Sequence, residues 1–160
     1  MHQVEFSMKY IISVLALSAS SFCFAADDSN FSLGLGNDHG GIGAKYSINT
    51  NDSKYYASLG IRVHSSEDGT GIGYGVGWDR KIGGDNHSLG IFGGAVSAHI
   101  ANGEVAIYHG LSGTYNYYFS GFNNSSFVLG GSIYSGVTSK NENIFEESSS
   151  GVSIKVAYQW

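Results

Sequence analysis

From Phe31 to Trp160 the chain alternates apolar with small or polar residues at a period of two. Only short polar clusters interrupt it, and no segment sustains a helical period of 3.6. Successive side chains of a strand point to opposite faces, so the pattern predicts strands with one apolar and one small or polar face. The apolar face takes Phe31, Leu33 and Leu35 over residues 31–36, then Ile42, Ala44, Tyr46 and Ile48 over 41–48. It continues with Ala57, Leu59, Ile61 and Val63 over 55–64, and Ile72, Tyr74, Val76 and Trp78 over 71–79. Val105, Ile107, Leu111, Tyr115, Tyr117 and Phe119 follow over 105–119, then Phe127, Leu129, Ile133 and Val137 over 126–137. Residues 88–100 break the rule: Leu89 and Ile91 share one face, whereas Phe92, Val96, Ala98 and Ile100 lie on the other. Gly93-Gly94 at that switch suggests a bulge and leaves this strand's register open. With the last ten residues the total is eight strands, joined as an all-β, up-and-down antiparallel meander. Residues 50–54, 83–86 and 120–124 are compact turns at one end, and 138–150 form the longest connection, at the other.

A closed sheet can bury either face. A water-soluble barrel or sandwich turns its apolar face inward, whereas an outer-membrane barrel turns it to lipid and fills its lumen with small polar groups. A soluble surface carries roughly 25–35% charged side chains, but charged residues are only 13% of this chain, and the polar faces hold mainly Gly, Ser, Thr and Asn. The chain has 24 glycines and no proline, which suits the crowded interior of an eight-stranded barrel. Aromatic residues give a second signal. Phe31, Tyr55, Tyr56 and Phe127 open odd strands, and Trp78, Tyr115, Tyr117, Tyr118, Phe119, Tyr158 and Trp160 close even ones. That distribution predicts a girdle at the periplasmic edge of a membrane; the opposite girdle is thin, with Tyr74, Tyr108 and Tyr134. The expected fold is therefore a transmembrane antiparallel β-barrel over residues 26–160. A net charge of -5 argues against a nucleic-acid partner, which needs a basic stripe.

The first 25 residues read as an address. Lys9 precedes a short apolar run that closes on small residues at Ala25, the layout of a cleaved Sec-type signal peptide, with Met8 as the natural start. Cys23 falls inside it, so residues 26–160 contain no cysteine and no disulfide is expected.

The signal segment, the eight alternating strands and the closing Val152, Ile154, Val156, Tyr158 and Trp160 resemble the small outer-membrane β-barrel proteins of Gram-negative bacteria. Residues 33–42, Leu-Gly-Leu-Gly-Asn-Asp-His-Gly-Gly-Ile, are similar to the first hairpin of the YfaZ-like proteins. The resemblance implies an outer-membrane location and a C-terminal strand read by the barrel-assembly machinery. Its implied partners are periplasmic chaperones, outer-membrane lipid and lipopolysaccharide. A monomer without cofactor or metal is expected.

Parity places Lys45, Arg62, Asp79 and Lys155 in the lumen. Lys45 and Lys155 share mid-height with no strand carboxylate at their level, because Asp79 sits near the periplasmic end. Buried charges need partners, so the interior is wet, or an acidic loop folds in, or the pair binds an anion. Gly71, Gly73, Gly75 and Gly77 line one strand's lumen face and make room for bulky groups opposite, with Tyr108, Tyr134 and Arg62 as the expected occupants. Asp38, Glu67, Asp68, Glu104, Glu142, Glu146 and Glu147, against Lys140, make the outer loops acidic. Such loops are a solvated surface or share divalent cations with lipopolysaccharide.

The expected role is structural or interactive within the envelope. A narrow solute channel is the alternative, and a lipid A-modifying enzyme the second. His64-Ser65-Ser66-Glu67 resembles a deacylase His-x-Ser arrangement, but parity turns His64 into the lumen. His109 faces lipid while Ser112 has the opposite parity.

Overall fold

The computed structural model describes residues 29–139 and 147–160; the segment read as a signal peptide, with Glu142, Glu146 and Lys140, lies outside them. Eight strands follow in chain order: β1 (Ser29–Gly36), β2 (Gly41–Asn49), β3 (Ser53–Ser65), β4 (Gly69–Lys81), β5 (His87–Ala101), β6 (Glu104–Tyr118), β7 (Ser126–Val137) and β8 (Ser148–Gln159). Each pairs antiparallel with its chain neighbours, and β1 pairs with β8 to close the barrel. Around the closed part of the ring every strand is flanked on both sides, which leaves no edge position there of the kind at which a strand tolerates proline. The chain has none.

The two faces have the polarity of an inverted globule. Ile133 (68% exposed), Val152 (80%) and Ile154 (81%) point outward, with Ile42, Leu59, Val76 and Leu111 beside them. Ser32, Lys45, Ser47, Ser112, Asn116, Lys155 and Gln159 point inward and are buried.

Two bulges break the alternation. The β5–β6 register shifts between Ala95 and Ser97, so the bulge lies at Val96 and not at Gly93-Gly94. Val96 stays on the inner face with Phe92, and beyond it Ala98 and Ile100 leave that face to pair beside Ile107 and Val105. A second shift between Ile61 and Val63 places the extra residue at Arg62. Beyond it Val63 leaves the outer face to sit opposite inward Gly71, while His64 turns outward opposite Thr70. Strict alternation had placed both the other way.

The end opposite the chain's C-terminus is uneven. β1 pairs with β8 only from Ser32 to Leu35, and the β2–β3 ladder ends at Ile42↔Ile61. The ends of β3 and of β8 therefore stand above the short β1–β2 hairpin and leave a notch in the wall. At the top of β1 the chain turns inward through a 3₁₀ turn, Asn37–His39, all three residues buried. Gly40 (φ 69°) and Gly41 (φ 99°) carry it back to the wall in conformations that a side chain disfavours.

The β5–β6 hairpin is closed by Asn102 (φ 52°) and Gly103 (φ 76°), both left-handed, as a two-residue turn that matches strand twist requires. A Cβ on Gly103 meets nothing closer than 3.7 Å, so only backbone strain opposes a side chain there. Gly103→Val is expected to lower stability by about 1–2 kcal/mol, read from the urea midpoint of the refolded barrel.

Candidate functional site

Glycine prepares the site. Gly34 pairs with Gly43, Gly43 with Gly60 and Gly60 with Gly73, so four neighbouring strands present a bare row to the lumen at one level. The inward turn lies on that row. A Cβ on Gly60 would stand 2.5 Å from the His39 carbonyl oxygen, and one on Gly43 or Gly73 would overlap the carbonyl of His39 or of Gly40. The lumen glycines do make room for bulk, as expected, but for other occupants. Gly73 faces the turn's backbone, Gly75 the Phe92 ring, Gly77 the Tyr56 ring, and Gly71 faces Ile107, Val63 and Val105.

The turn delivers Asp38 to the two lysines. Asp38, expected on an outer loop, is 1% exposed. Its Oδ2 accepts from Lys45 Nζ at 2.7 Å and Lys155 Nζ at 2.6 Å. An acidic connection folding inward is thus the outcome, of the three the sequence allowed. Lys155 also donates to Asn116 Oδ1 at 2.8 Å, and Asn116 donates to Ser88 at 3.1 Å. Asp79 is nearer the lysines than its place on β4 implied, since the long Lys45 side chain brings Nζ within 3.9 Å of Asp79 Oδ2. Its other oxygen accepts from Thr114 at 3.2 Å. Lys45 Nζ also lies 4.4 Å from the centre of the Tyr56 ring, a favourable cation–π position.

Arg62 crosses the lumen. It donates to Asn37 Oδ1 at 2.6 Å, the Asn37 carbonyl at 3.1 Å and the Val96 carbonyl at 2.9 Å. Among the described residues no carboxylate pairs with it. Parity assigned Lys45, Arg62, Asp79 and Lys155 inward, and all four are inside.

Asp38 also sits in a serine–histidine–aspartate chain: Ser32 Oγ is 3.0 Å from His39 Nε2, and His39 Nδ1 is 3.2 Å from Asp38 Oδ1. The connectivity is that of a nucleophile relay, but the surroundings are not. The Asp38 carboxylate is taken up by two ammonium groups, Ser32 is 4% exposed and His39 fully buried. Three surface grooves of about 270 to 610 Å³ are lined by other residues. The triad orients the turn within the barrel.

The C-terminal end closes on a second set. Lys54 reaches the Phe122 carbonyl and donates to Gln159 Oε1 at 2.8 Å, lying over the Tyr118 and Phe122 rings at 4.7 and 4.5 Å. Gln159 donates to the carbonyls of Phe122 at 2.9 Å and Asn124 at 2.6 Å. Asn30 donates to the Trp160 carbonyl at 2.8 Å. The turn after β6 therefore folds across the mouth, with Phe122 inside.

Sequence reasoning missed Lys54, His39, Ser32, Asn116 and Phe122. Extending the parity of β3 down to Lys54 would have found the first. The Gly40-Gly41 pair beside two polar residues was the signal for the inward turn.

Phe31, Tyr55, Trp78, Tyr115, Tyr117, Phe119, Phe127, Tyr158 and Trp160 all stand on the outer face at the C-terminal end. Several touch, with Phe127–Tyr158 centroids at 5.0 Å and Tyr158–Trp160 at 4.8 Å. Tyr56 and Tyr118 are not among them: both are buried in the lumen, as is Tyr108, and Tyr134 packs against the inner cluster. At the far end Tyr74 faces out and bonds His109 Nε2 at 3.0 Å.

His64, now outward, bonds Thr70 Oγ1 at 2.7 Å, and Ser65 donates to Asp68 at 3.0 Å. No bond joins His64 to Ser66 among the described residues. Glu67, Glu104 and Glu147 are exposed, as outer-loop acids should be. No family model, curated protein or solved structure matches the chain.

Proposed function

We propose that this chain is a plugged eight-stranded barrel of a Gram-negative outer membrane, exported on its N-terminal signal segment. Its role is structural or interactive, with short acidic loops turned outward. One observation carries the membrane placement: the outer face is an apolar band, while buried charged, amide and hydroxyl groups share the interior with aromatic rings. In water such a band far exceeds the few hundred Å² of contiguous apolar surface that soluble monomers expose; in a bilayer it is the expected lipid contact. The outward aromatic ring fits an interfacial girdle. The alternating strand β8 with Tyr158 near its end, followed by Trp160, fits the signal for barrel assembly implied by the resemblance to small outer-membrane barrels.

The interior argues for a plug over a pore. The Asp38 cluster fills mid-height, and Lys54 with Phe122 crosses the mouth below it. In planar bilayers the purified barrel is expected to give no discrete unitary steps. Folded protein is expected to stay with the outer-membrane fraction and to migrate differently in SDS before and after boiling. Identical migration together with recovery from the soluble periplasm would sink the membrane placement, and reproducible unitary steps would sink the plug. Lipid A mass spectra are expected to be identical with wild type, His64→Ala and Ser66→Ala.

A further inference from the structure

The notch above the β1–β2 hairpin is a cavity of about 270 Å³ with two chemically different walls. Leu35, Ile42 and Ile61 belong to the outward apolar face; Asn37 and Arg62 come from the lumen, with His64 at the rim. It exists because β1 stops at Gly36 while β8 and β3 run on above it.

The polar wall is short of acceptors. Asn37 is 4% exposed, and among the described residues its buried Nδ2 has no hydrogen-bond partner; the same holds for the buried Arg62 Nε. Buried donors without partners are rare and costly. Among the described residues Arg62 donates to two carbonyls and an amide oxygen, and no carboxylate forms an ion pair with it. The interior is therefore asymmetric. Asp38 and Asp79 offset the lysine pair below, and where the wall opens no carboxylate among the described residues forms an ion pair with the Arg62 guanidinium.

We propose that the notch binds the phosphate group of an anionic lipid. The Arg62 guanidinium and the Asn37 amide donate to its oxygens, and the acyl part lies along Leu35, Ile42 and Ile61. A phosphate offers several acceptor oxygens to a planar donor fork, the pairing at which arginine excels. Free phosphate would leave the apolar wall in water, whereas a lipid satisfies both walls at once. The assignment rests on the membrane placement proposed above.

Flotation of the full chain with phosphatidylcholine vesicles is scored first and tests that placement alone. The barrel in detergent is then offered phosphatidic acid or phosphatidylcholine, with adducts counted by native mass spectrometry. One phosphatidic acid is expected to be retained per barrel, with little phosphatidylcholine. Asn37→Asp keeps the oxygen that Arg62 donates to, removes the free amide donor and neutralises the guanidinium in place. It is expected to preserve the gel-shifted fold while cutting the adduct about tenfold, and Arg62→Gln is expected to do the same. Equal retention of the two lipids, or undiminished adduct in a folded Asn37→Asp barrel, overturns the site. Full displacement by an equal concentration of inorganic phosphate overturns its assignment to a lipid. A barrel that floats but does not select phosphatidic acid loses only the phosphate site; one that does not float loses both.

Discussion

Asp38→Asn is expected to cost the folded barrel about 3–5 kcal/mol, the penalty for leaving buried charge without its partner. The side chain keeps its shape and loses only its charge, so cavity formation does not contribute. Lys45 and Lys155, which both donate to Asp38 Oδ2, are left in the lumen with Asp79 as the remaining carboxylate, 3.9 Å from Lys45. The measurement is urea unfolding of the barrel refolded in detergent, together with the temperature at which the compact gel band is lost. A quadruple variant, Asp38→Leu with Asp79→Asn, Lys45→Met and Lys155→Met, is expected to recover most of the loss, because replacing a whole buried ion cluster by uncharged groups is often neutral or better. If Asp38→Asn unfolds at the wild-type midpoint, the cluster does not hold the turn in place.

The second large effect comes from the glycine row. Gly60→Val puts a branched side chain where the His39 carbonyl lies 2.5 Å and the Ile42 carbonyl 2.6 Å from the new Cβ. Neither is the free end of a flexible side chain, so the turn must leave or the strands must part. Overpacking alone costs about 1–3 kcal/mol, and a displaced turn also withdraws Asp38 from the lysines. Gly113→Val on the outer face is the control. Its new Cβ would meet only Ile133, at 3.7 Å, and a change within about 0.5 kcal/mol is expected. Equal midpoints for the two variants would mean that the row does not seat the turn.

The fold was legible in this sequence because side-chain period and strand number are local properties. Every strand but β5 announced itself by its own alternation, and the sense of the barrel followed from how few charges the polar faces carry. What escaped was non-local. Nothing in the spacing of Asp38, Lys45 and Lys155 says that a turn beginning at Asn37 dives inward, since the loop's acid reads the same whether it meets solvent or a lysine. The bulge at Arg62 escaped, and the one at Val96 was expected at Gly93-Gly94, for a related reason: one extra residue reverses parity without changing composition. It moved Val63 and Ala98 to the opposite faces from those expected, and it turned His64 outward.

The seam between β1 and β8 has the fewest rungs of any in the barrel, four residue pairs. It joins parts of the chain that are remote in sequence, with Asp38 and Lys155 separated by 117 positions. Contacts of that span close late, after nearer ones have formed. The bond from Asp38 to Lys155 crosses this seam from within, so it can form only when the ring is shut. An interaction made after the rate-limiting step slows unfolding and leaves the folding rate nearly unchanged. The plug thus sets how long a closed barrel stays closed: rupture at its weakest ladder must first break an ion pair that water does not reach.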